Sequence, residues 1–373
     1  MDTTLGLMSP VMSDRSRHLM VVEDVLSLDG IRDAWRGLEH AAFGPIEHFD
    51  WSRACVERLS ELGRLKVFSI WDDKKCRAIA PFVVTPVGRR RLESLGVTQL
   101  TEPMDFLYED RESLARLCDA LARQRLPIDL QRVPEVSPVT AELRRAFRGR
   151  GYVHVSRSGP YPTLPIDASW KDPESHFNAG RRSDFRRAYR AAERFGSPEL
   201  VIVTPDASNL EALLAQAIEA ELHSWKGRSG TALALDPLRA QIYGHYLRSI
   251  CEKGLLRLGL MRIDGKTIGM QIAVQTNQRL WLLKIGHNEE YSKCSPGTLL
   301  MLTLTRYAAE QQLQSIEFLG SAEPWTQLWT EELRACVRIR VYPLSLASGF
   351  ALGEDAARSI GSSLRRRLQR GKH

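Results

Sequence analysis

The sequence predicts an α/β (α+β) chain made of two successive copies of one fold, each a mixed, largely antiparallel sheet flanked by helices. Three observations carry this. The chain has 373 residues, which at roughly 100–200 residues per domain is room for about two cores. Hydrophobic residues make up 43% and charged residues 26%, intermixed along the chain, which excludes disorder as the main state. One order of elements, helices then a meander then alternating helix and strand, occurs twice.

In the first half, Leu19–Val22 reads as a short strand, and Ile31–Ala42 and Trp51–Leu62 read as amphipathic helices. Leu65–Trp71 and Arg77–Val84 are β-rich runs joined by the turn Asp72-Asp73-Lys74-Lys75, and Arg91–Gly96 is a third meander strand. A helix over Glu112–Gln124, a strand at Ile128–Gln131, a helix over Thr140–Gly149 and a strand at Tyr152–Val155 follow. Arg157–Asp167 contains Gly159, Pro160, Pro162 and Pro165, the composition of a linker.

The second half opens at Asp172-Pro173, a good N-cap and first-turn pair. Helices are predicted over Arg181–Phe195, Asn209–Trp225 and Pro237–Glu252, with a strand at Leu200–Val203. The meander is Leu255–Ile263, the turn Asp264-Gly265-Lys266, Thr267–Gln275 and Arg279–Gly286. A helix runs from Pro296 to about Gln312, Ser315–Leu319 is a strand, Pro324–Leu333 a helix and Val337–Tyr342 a closing strand. The expected organisation is a disordered start at 1–18, one unit over 19–157, a linker at 158–168, a second unit over 169–345 and a basic tail at 346–373.

Charge and cysteines narrow the function classes. Six cations, Arg358, Arg365, Arg366, Arg367, Arg370 and Lys372, follow the last acid, Asp355, and supply nearly all of the net +7. The body is close to neutral, which argues against DNA as a partner. The tail reads either as a solvated end or as a contact to an anionic membrane surface or RNA. Cys55, Cys76, Cys118, Cys251, Cys294 and Cys336 are far apart, without C-x-x-C or nearby His at zinc spacing, so they read as reduced thiols and no metal is expected. With no stretch of ~18 uninterrupted apolar residues and no signal-peptide core, the expected location is cytoplasmic, or peripheral at the inner face of the membrane.

Four places can carry chemistry. Strand Leu280–Gly286 passes through a polar loop into Ser295-Pro296-Gly297-Thr298, where Ser295 fits an N-cap, Pro296 the first helical position, and Gly297 leaves the amides unshielded. Such a helix start can hold a phosphate, and it also begins many helices that bind nothing. Arg182, Arg186, Arg190 and Arg194 recur at i+4 as a basic stripe, while Phe185, Ala188, Tyr189 and Ala192 form an apolar one. On one helix face Glu221 pairs with Trp225, with His223 turned about 200° away. Gly320-Ser321-Ala322-Glu323-Pro324-Trp325 leads from a strand end into a helix, a common place for substrate contacts. The chain lacks G-x-S-x-G, a phosphate-binding G-x-x-x-x-G-K-[ST] loop, G-x-G-x-x-G and H-E-x-x-H, so triad hydrolysis, P-loop nucleotide use and zinc chemistry lose weight.

Together these residues resemble the FemAB/CelD-like branch of the GNAT acyltransferase superfamily. The resemblance rests on Arg181-Arg182-x-x-Phe185-Arg186-Arg187, His223-x-Trp225, and Leu260-x-x-x-Asp264-Gly265-Lys266 leading into Gly269. It continues through Gly286-x-x-x-x-Tyr291-x-x-x-Ser295-Pro296-Gly297-Thr298, Ile316-Glu317-Phe318-x-Gly320 and Glu323-Pro324-Trp325. In the first half, Phe49-Asp50-Trp51, Ala80-Pro81-Phe82 and Met104-Asp105-Phe106 fit as well.

The resemblance implies two tandem GNAT-like domains and transfer of an acyl group, acetyl above all, from acyl-CoA to an amine on a small polar or sugar- or nucleotide-linked acceptor. Lys284, Ile285, Gly286, Tyr291, Ser295, Gly297 and Thr298 would hold the acyl-CoA. Trp225, Asp105, Arg182, Arg186 and Trp325 would meet the acceptor. The reaction needs a base and a donor for the developing oxyanion. Relatives often carry an acid after the strand glycine, where this chain has His287, and a Lys in the last motif, where it has Thr326. His287, Glu221 and Glu323 are therefore the catalytic candidates, with Glu317 as a rival. The alternatives are an aminoacyl-tRNA-dependent Fem-type transferase acting on a peptide or lipid-linked precursor, and a non-catalytic GNAT scaffold.

Overall fold

The computed structural model describes residues 17–58, 63–85, 90–346 and 348–355. Strands β1 (His18–Val22), β2 (Arg64–Asp72), β3 (Lys75–Val84), β4 (Leu92–Ser94), β5 (Leu107–Tyr108), β6 (Ile128–Pro134) and β7 (Gly151–Pro165) come from the first half. The second half gives β8 (Pro198–Val203), β9 (Leu256–Ile263), β10 (Lys266–Thr276), β11 (Arg279–His287), β12 (Ser315–Glu317) and β13 (Leu333–Pro343). The helices are α1 (Val25–Gly30), α2 (Arg32–Leu38), α3 (Phe49–Val56), α4 (Val97–Leu100), α5 (Arg111–Arg123), α6 (Val139–Ala146), α7 (Ala179–Glu193), α8 (Leu210–Leu222), α9 (Trp225–Arg228), α10 (Pro237–Glu252), α11 (Pro296–Glu310) and α12 (Pro324–Gln327).

All the strands join one sheet, ordered β1-β2-β3-β4-β6-β13-β7-β12-β11-β10-β9-β8, with β5 on β3. Each half has its meander: β2 and β3 pair antiparallel over Arg64–Asp72, and β9, β10 and β11 are successive antiparallel neighbours. The turns of the second meander are tight because residues there adopt left-handed backbone: Asp264 and Gly265 lie at φ 49 and 80, Asn277 and Gln278 at φ 51 and 56. The mixed α/β tandem architecture expected from the sequence is present.

The expected linker is not. Residues 158–165 continue β7, whose early part pairs with β13 and whose last three residues pair with β12. Proline argues against a strand because it cannot donate to the ladder. Here the register shifts between Arg334 and Cys336, opposite the Gly159-Pro160 pair, while Pro162 serves as an acceptor for the Phe318 amide. The closing strand β13 also inserts between β6 and β7, joining the halves at the centre of the sheet.

Two cores lie against the second half of the sheet. One gathers α8 and α10 with the first half, where Trp51 of α3 meets Tyr243 and Tyr246 edge-on at ring separations of 5.9 and 5.1 Å. The other packs Phe185, Ala188 and Ala192 of α7 and the apolar side of α11 on the opposite face. A third lies in the first half, under α5 and α6. The segment expected to be tail is partly built into the fold. Residues 348–355 are helical, and buried Asp355 accepts from Arg91 at 3.1 Å and from the Tyr342 hydroxyl at 2.7 Å. The six tail cations, and nearly all of the disordered start expected over 1–18, lie outside the described residues.

Candidate active site

β11 and β12 are parallel neighbours only over Arg279–Trp281 and Ser315–Glu317. Beyond that the two strands part, and the wedge between them opens into a cavity of about 630 Å³. Its walls come from both faces of the sheet: Met270 and Leu283 belong to the α8/α10 core, and Leu282, Met301 and Phe318 to the α7/α11 core. The cavity therefore passes through the sheet.

Ten of the residues expected at the site line it: Lys284, Ile285, Gly286, His287, Ser295, Gly297, Thr298, Trp225, Glu323 and Trp325. α11 starts at its rim. Ser295 is not the side-chain cap the sequence suggested. It adopts left-handed backbone at φ 46 and makes no capping side-chain bond, while its carbonyl accepts from Thr298 and Leu299. The hydroxyl is left for other partners. A Cβ built on Gly297 would meet nothing within 4 Å, so the helix start is open to a ligand on that side.

Six expected residues, the rival Glu317 among them, fall elsewhere. Glu221 is 1% exposed, and both its oxygens are engaged, one by the Lys226 ammonium at 3.0 Å and one by the Leu233 amide at 2.9 Å. It braces the wall and does not open on the cavity. The sequence placed it with Trp225 on one helix, but the helix stops at Leu222. Ser224 then caps α9, and Gly227 is obligatory there because a Cβ would lie 1.8 Å from the Leu222 carbonyl oxygen. Asp105 is buried in the first half beside Glu47, which accepts from its amide at 2.8 Å. Burial pushes Asp105 up to about 6 and Glu47 up to about 8. Tyr291 packs on Phe195 with ring centroids 5.2 Å apart, away from the lining. Arg182 and Arg186 do not line the cavity, whereas Arg181 does, because Asn178 caps α7 and the first turn faces the rim. Glu317 is fully buried in a two-bond pair with Arg334, both contacts 2.7 Å, and is no free base.

Of the catalytic candidates, His287 and Glu323 reach the cavity. Burial pulls His287 below its ordinary value, against a smaller opposite pull from Glu289, so the imidazole is neutral at pH 7 and can take a proton. Glu323 accepts from the Trp325 indole at 3.0 Å, and its backbone is capped by buried Thr326. The sequence reading missed Gln271 and Met301 and assigned no site role to Arg181, Phe318 or Lys226, although the first two stand in its motifs; the parting of two strands brings all five together. The Lys226 ammonium also donates to the Ile285 carbonyl at 2.7 Å, tying α9 to the free edge of β11.

The chain matches the family model described as an acetyltransferase (GNAT) domain over residues 179–327. No curated protein matches it in sequence. Among solved structures it is similar to FemX, with TM-score 0.57 and 12% identity, covering 88% of this chain and 97% of that one. The C-terminal domain of a protein named as a lysylphosphatidylglycerol synthetase from Agrobacterium fabrum gives TM-score 0.53 and 10% identity over 88% and 96% of the two chains. A conserved protein of unknown function from Bacteroides thetaiotaomicron gives 0.50 and 14% over 86% and 99%. At these identities the shared property is the fold, a GNAT domain in a chain of FemX-like architecture.

Proposed function

We propose that this chain, which carries a GNAT domain in a FemX-like fold, transfers an acyl group from acyl-CoA, acetyl-CoA first among the donors, to the amine of a small polar or sugar- or nucleotide-linked acceptor. The observation that carries the reading is the wedge between β11 and β12. It exposes the edge of β11 to a ligand along Leu282–His287, save the Ile285 carbonyl that Lys226 occupies, and ends at the N-terminus of the 15-residue helix α11. An extended arm with amide groups fits an open strand edge, and a pyrophosphate fits the helix start with Gly297 and Arg181 beside it. The acceptor amine attacks the thioester carbon, a C–N bond forms, the C–S bond breaks, and the thiolate leaves. His287 takes the proton that the amine nitrogen gives up. Glu323, also in the lining, is the second candidate for that role.

Isothermal titration with acetyl-CoA tests the placement. Gly297→Asp keeps the helix, since an acid near a helix N-terminus stabilises it, yet sets a negative charge where the pyrophosphate would lie. Affinity should fall at least about tenfold. Equal binding by variant and wild type overturns the placement.

A second donor, aminoacyl-tRNA, is favoured by one observation: Arg186, Arg187, Arg190 and Arg194 form an exposed basic side of α7. Transfer from charged tRNA without CoA would establish it. Absence of thiol release over a panel of donors and amines would instead favour a non-catalytic scaffold.

A further inference from the structure

Lys284 is the residue of the cavity whose surroundings the transfer reaction does not explain. Along β11, Leu280 and Leu282 pack in the α7/α11 core and Trp281 and Leu283 in the α8/α10 core, the alternation of a regular strand. Opposite β10 the register then shifts: Ala273 faces Leu282 and Ile272 faces Lys284, leaving Leu283 as an extra residue. Such a bulge turns the following side chain to the other face. Lys284 thus points to the α10 side, away from the α11 start, with its ammonium 4.6 Å from the centre of the Tyr243 ring. The Tyr243 hydroxyl donates to Glu102 of the first half at 3.1 Å. Among the described residues Lys284 has no ion-pair partner, although it lines the cavity.

Burial pulls the Lys284 ammonium below its ordinary value, offset in part by the Glu102 charge, and the Tyr243 face favours the cation. The ring's hydroxyl bond to a carboxylate draws electron density toward the ring and strengthens that effect. Of the other lining cations, Lys226 is spent on Glu221 and Ile285, and Arg181 sits by the helix start with Asp184 3.7 Å away. Lys284 is therefore held over a neutral ring, with Glu102 and Glu221 the carboxylates that act on it and each already hydrogen-bonded to partners of its own. We propose that Lys284 receives an anionic group of the acceptor, a carboxylate or a phosphate, so that the acceptor is an amine bearing a negative charge. The inference rests on the acyl-transfer reading for the word acceptor but not for the binding of the anion.

Titration of the donor-free protein with matched amines tests it: 4-aminobutyrate against 4-aminobutanamide, and glucosamine 6-phosphate against glucosamine. Wild type should bind the charged member of at least one pair at least about tenfold more tightly, and the pair that shows it identifies the anion. Lys284→Gln should bring the two members of that pair level, and Lys284→Arg should keep the preference. Tyr243→Phe, which retains the ring and cuts the tie to Glu102, should weaken it in part. In the presence of acetyl-CoA the Gln variant should raise KM for the charged amine more than KM for the neutral one. No preference in wild type overturns the proposal, as does a preference that survives in Lys284→Gln. An equal loss of kcat on both members would make Lys284 part of the chemical step and overturn it too. If acetyl-CoA fails to bind while the anion preference stands, the donor assignment falls and this one does not.

Discussion

At the scale of single residues, the site is decided by which polar groups are already spent. Glu221 and Glu317 look as suitable for proton transfer in sequence as His287 does, yet each has both carboxylate oxygens engaged by neighbours of its own. His287 is not so engaged, and its pH behaviour follows from its burial. Its folded-state pKa lies below the ordinary 6.5, with desolvation the largest cause. A base works deprotonated, so the rate should be at full value at pH 7 and fall only as pH drops through a midpoint below 6.5. His287→Gln should lower kcat about a hundredfold or more and abolish that acidic limb, with acetyl-CoA affinity unchanged by titration. Unaltered turnover would pass the role to Glu323.

At the scale of elements, the wall of the cavity depends on close approach between α8 and β11. A Cβ on Gly286 would stand 2.9 Å from the Glu221 Cα and 3.1 Å from its Cβ and Cγ. Gly286→Ala must push the helix outward and strain the Glu221–Lys226–Ile285 tie. The expected cost is about 1–3 kcal/mol, read as a lower urea midpoint at constant m-value. A midpoint equal to wild type would show that the wall yields freely.

Elements are also where the limits of reading the sequence appear. The meanders and the helices α5, α7, α10 and α11 were legible because their apolar residues keep one period from end to end. β7 was legible only over Tyr152–Val155, because Gly159, Pro160, Pro162 and Pro165 are local signals of a break, whereas the rest of the strand is held by partners far away in sequence. The expected helix Pro324–Leu333 stops at Gln327 for a similar reason, since Leu333 already belongs to β13. Within the site, the β11 edge and the α11 start could be named from their spacing. The roles of Arg181 and Lys226 could not, since nothing local tells which residue of a helix turn faces a gap opened by two diverging strands.

At the scale of the whole molecule, the first half has a stake in the site. Arg132 donates to the carbonyls of Thr101 at 2.6 Å and Leu319 at 2.7 Å. All three residues carry positive φ, 53, 60 and 52 respectively, and each such conformation costs on the order of 1–3 kcal/mol. Leu319 immediately precedes Gly320 and Ser321, which line the cavity. Arg132→Met should let that turn relax, lowering kcat about tenfold or more while the protein stays folded by circular dichroism. Wild-type kcat would mean the turn holds itself. At the far end, we extend the proposal to the tail: removal of residues 358–373 should reduce retention on anionic vesicles or RNA and leave acetyl-CoA affinity intact. Loss of that affinity would place the tail in the site.

The position of β13 bears on how the chain comes to exist at all. Its slot lies between β6, which ends at Pro134, and β7, which ends at Pro165, but its own residues run to Pro343. At roughly 5–20 residues per second on the ribosome, that slot waits on the order of ten to forty seconds for its occupant. Throughout that interval the nascent first half presents two unpaired backbone edges, the template for pairing with a wrong strand or another chain. The two halves repeat one fold, yet neither can be made, finished and released before the other.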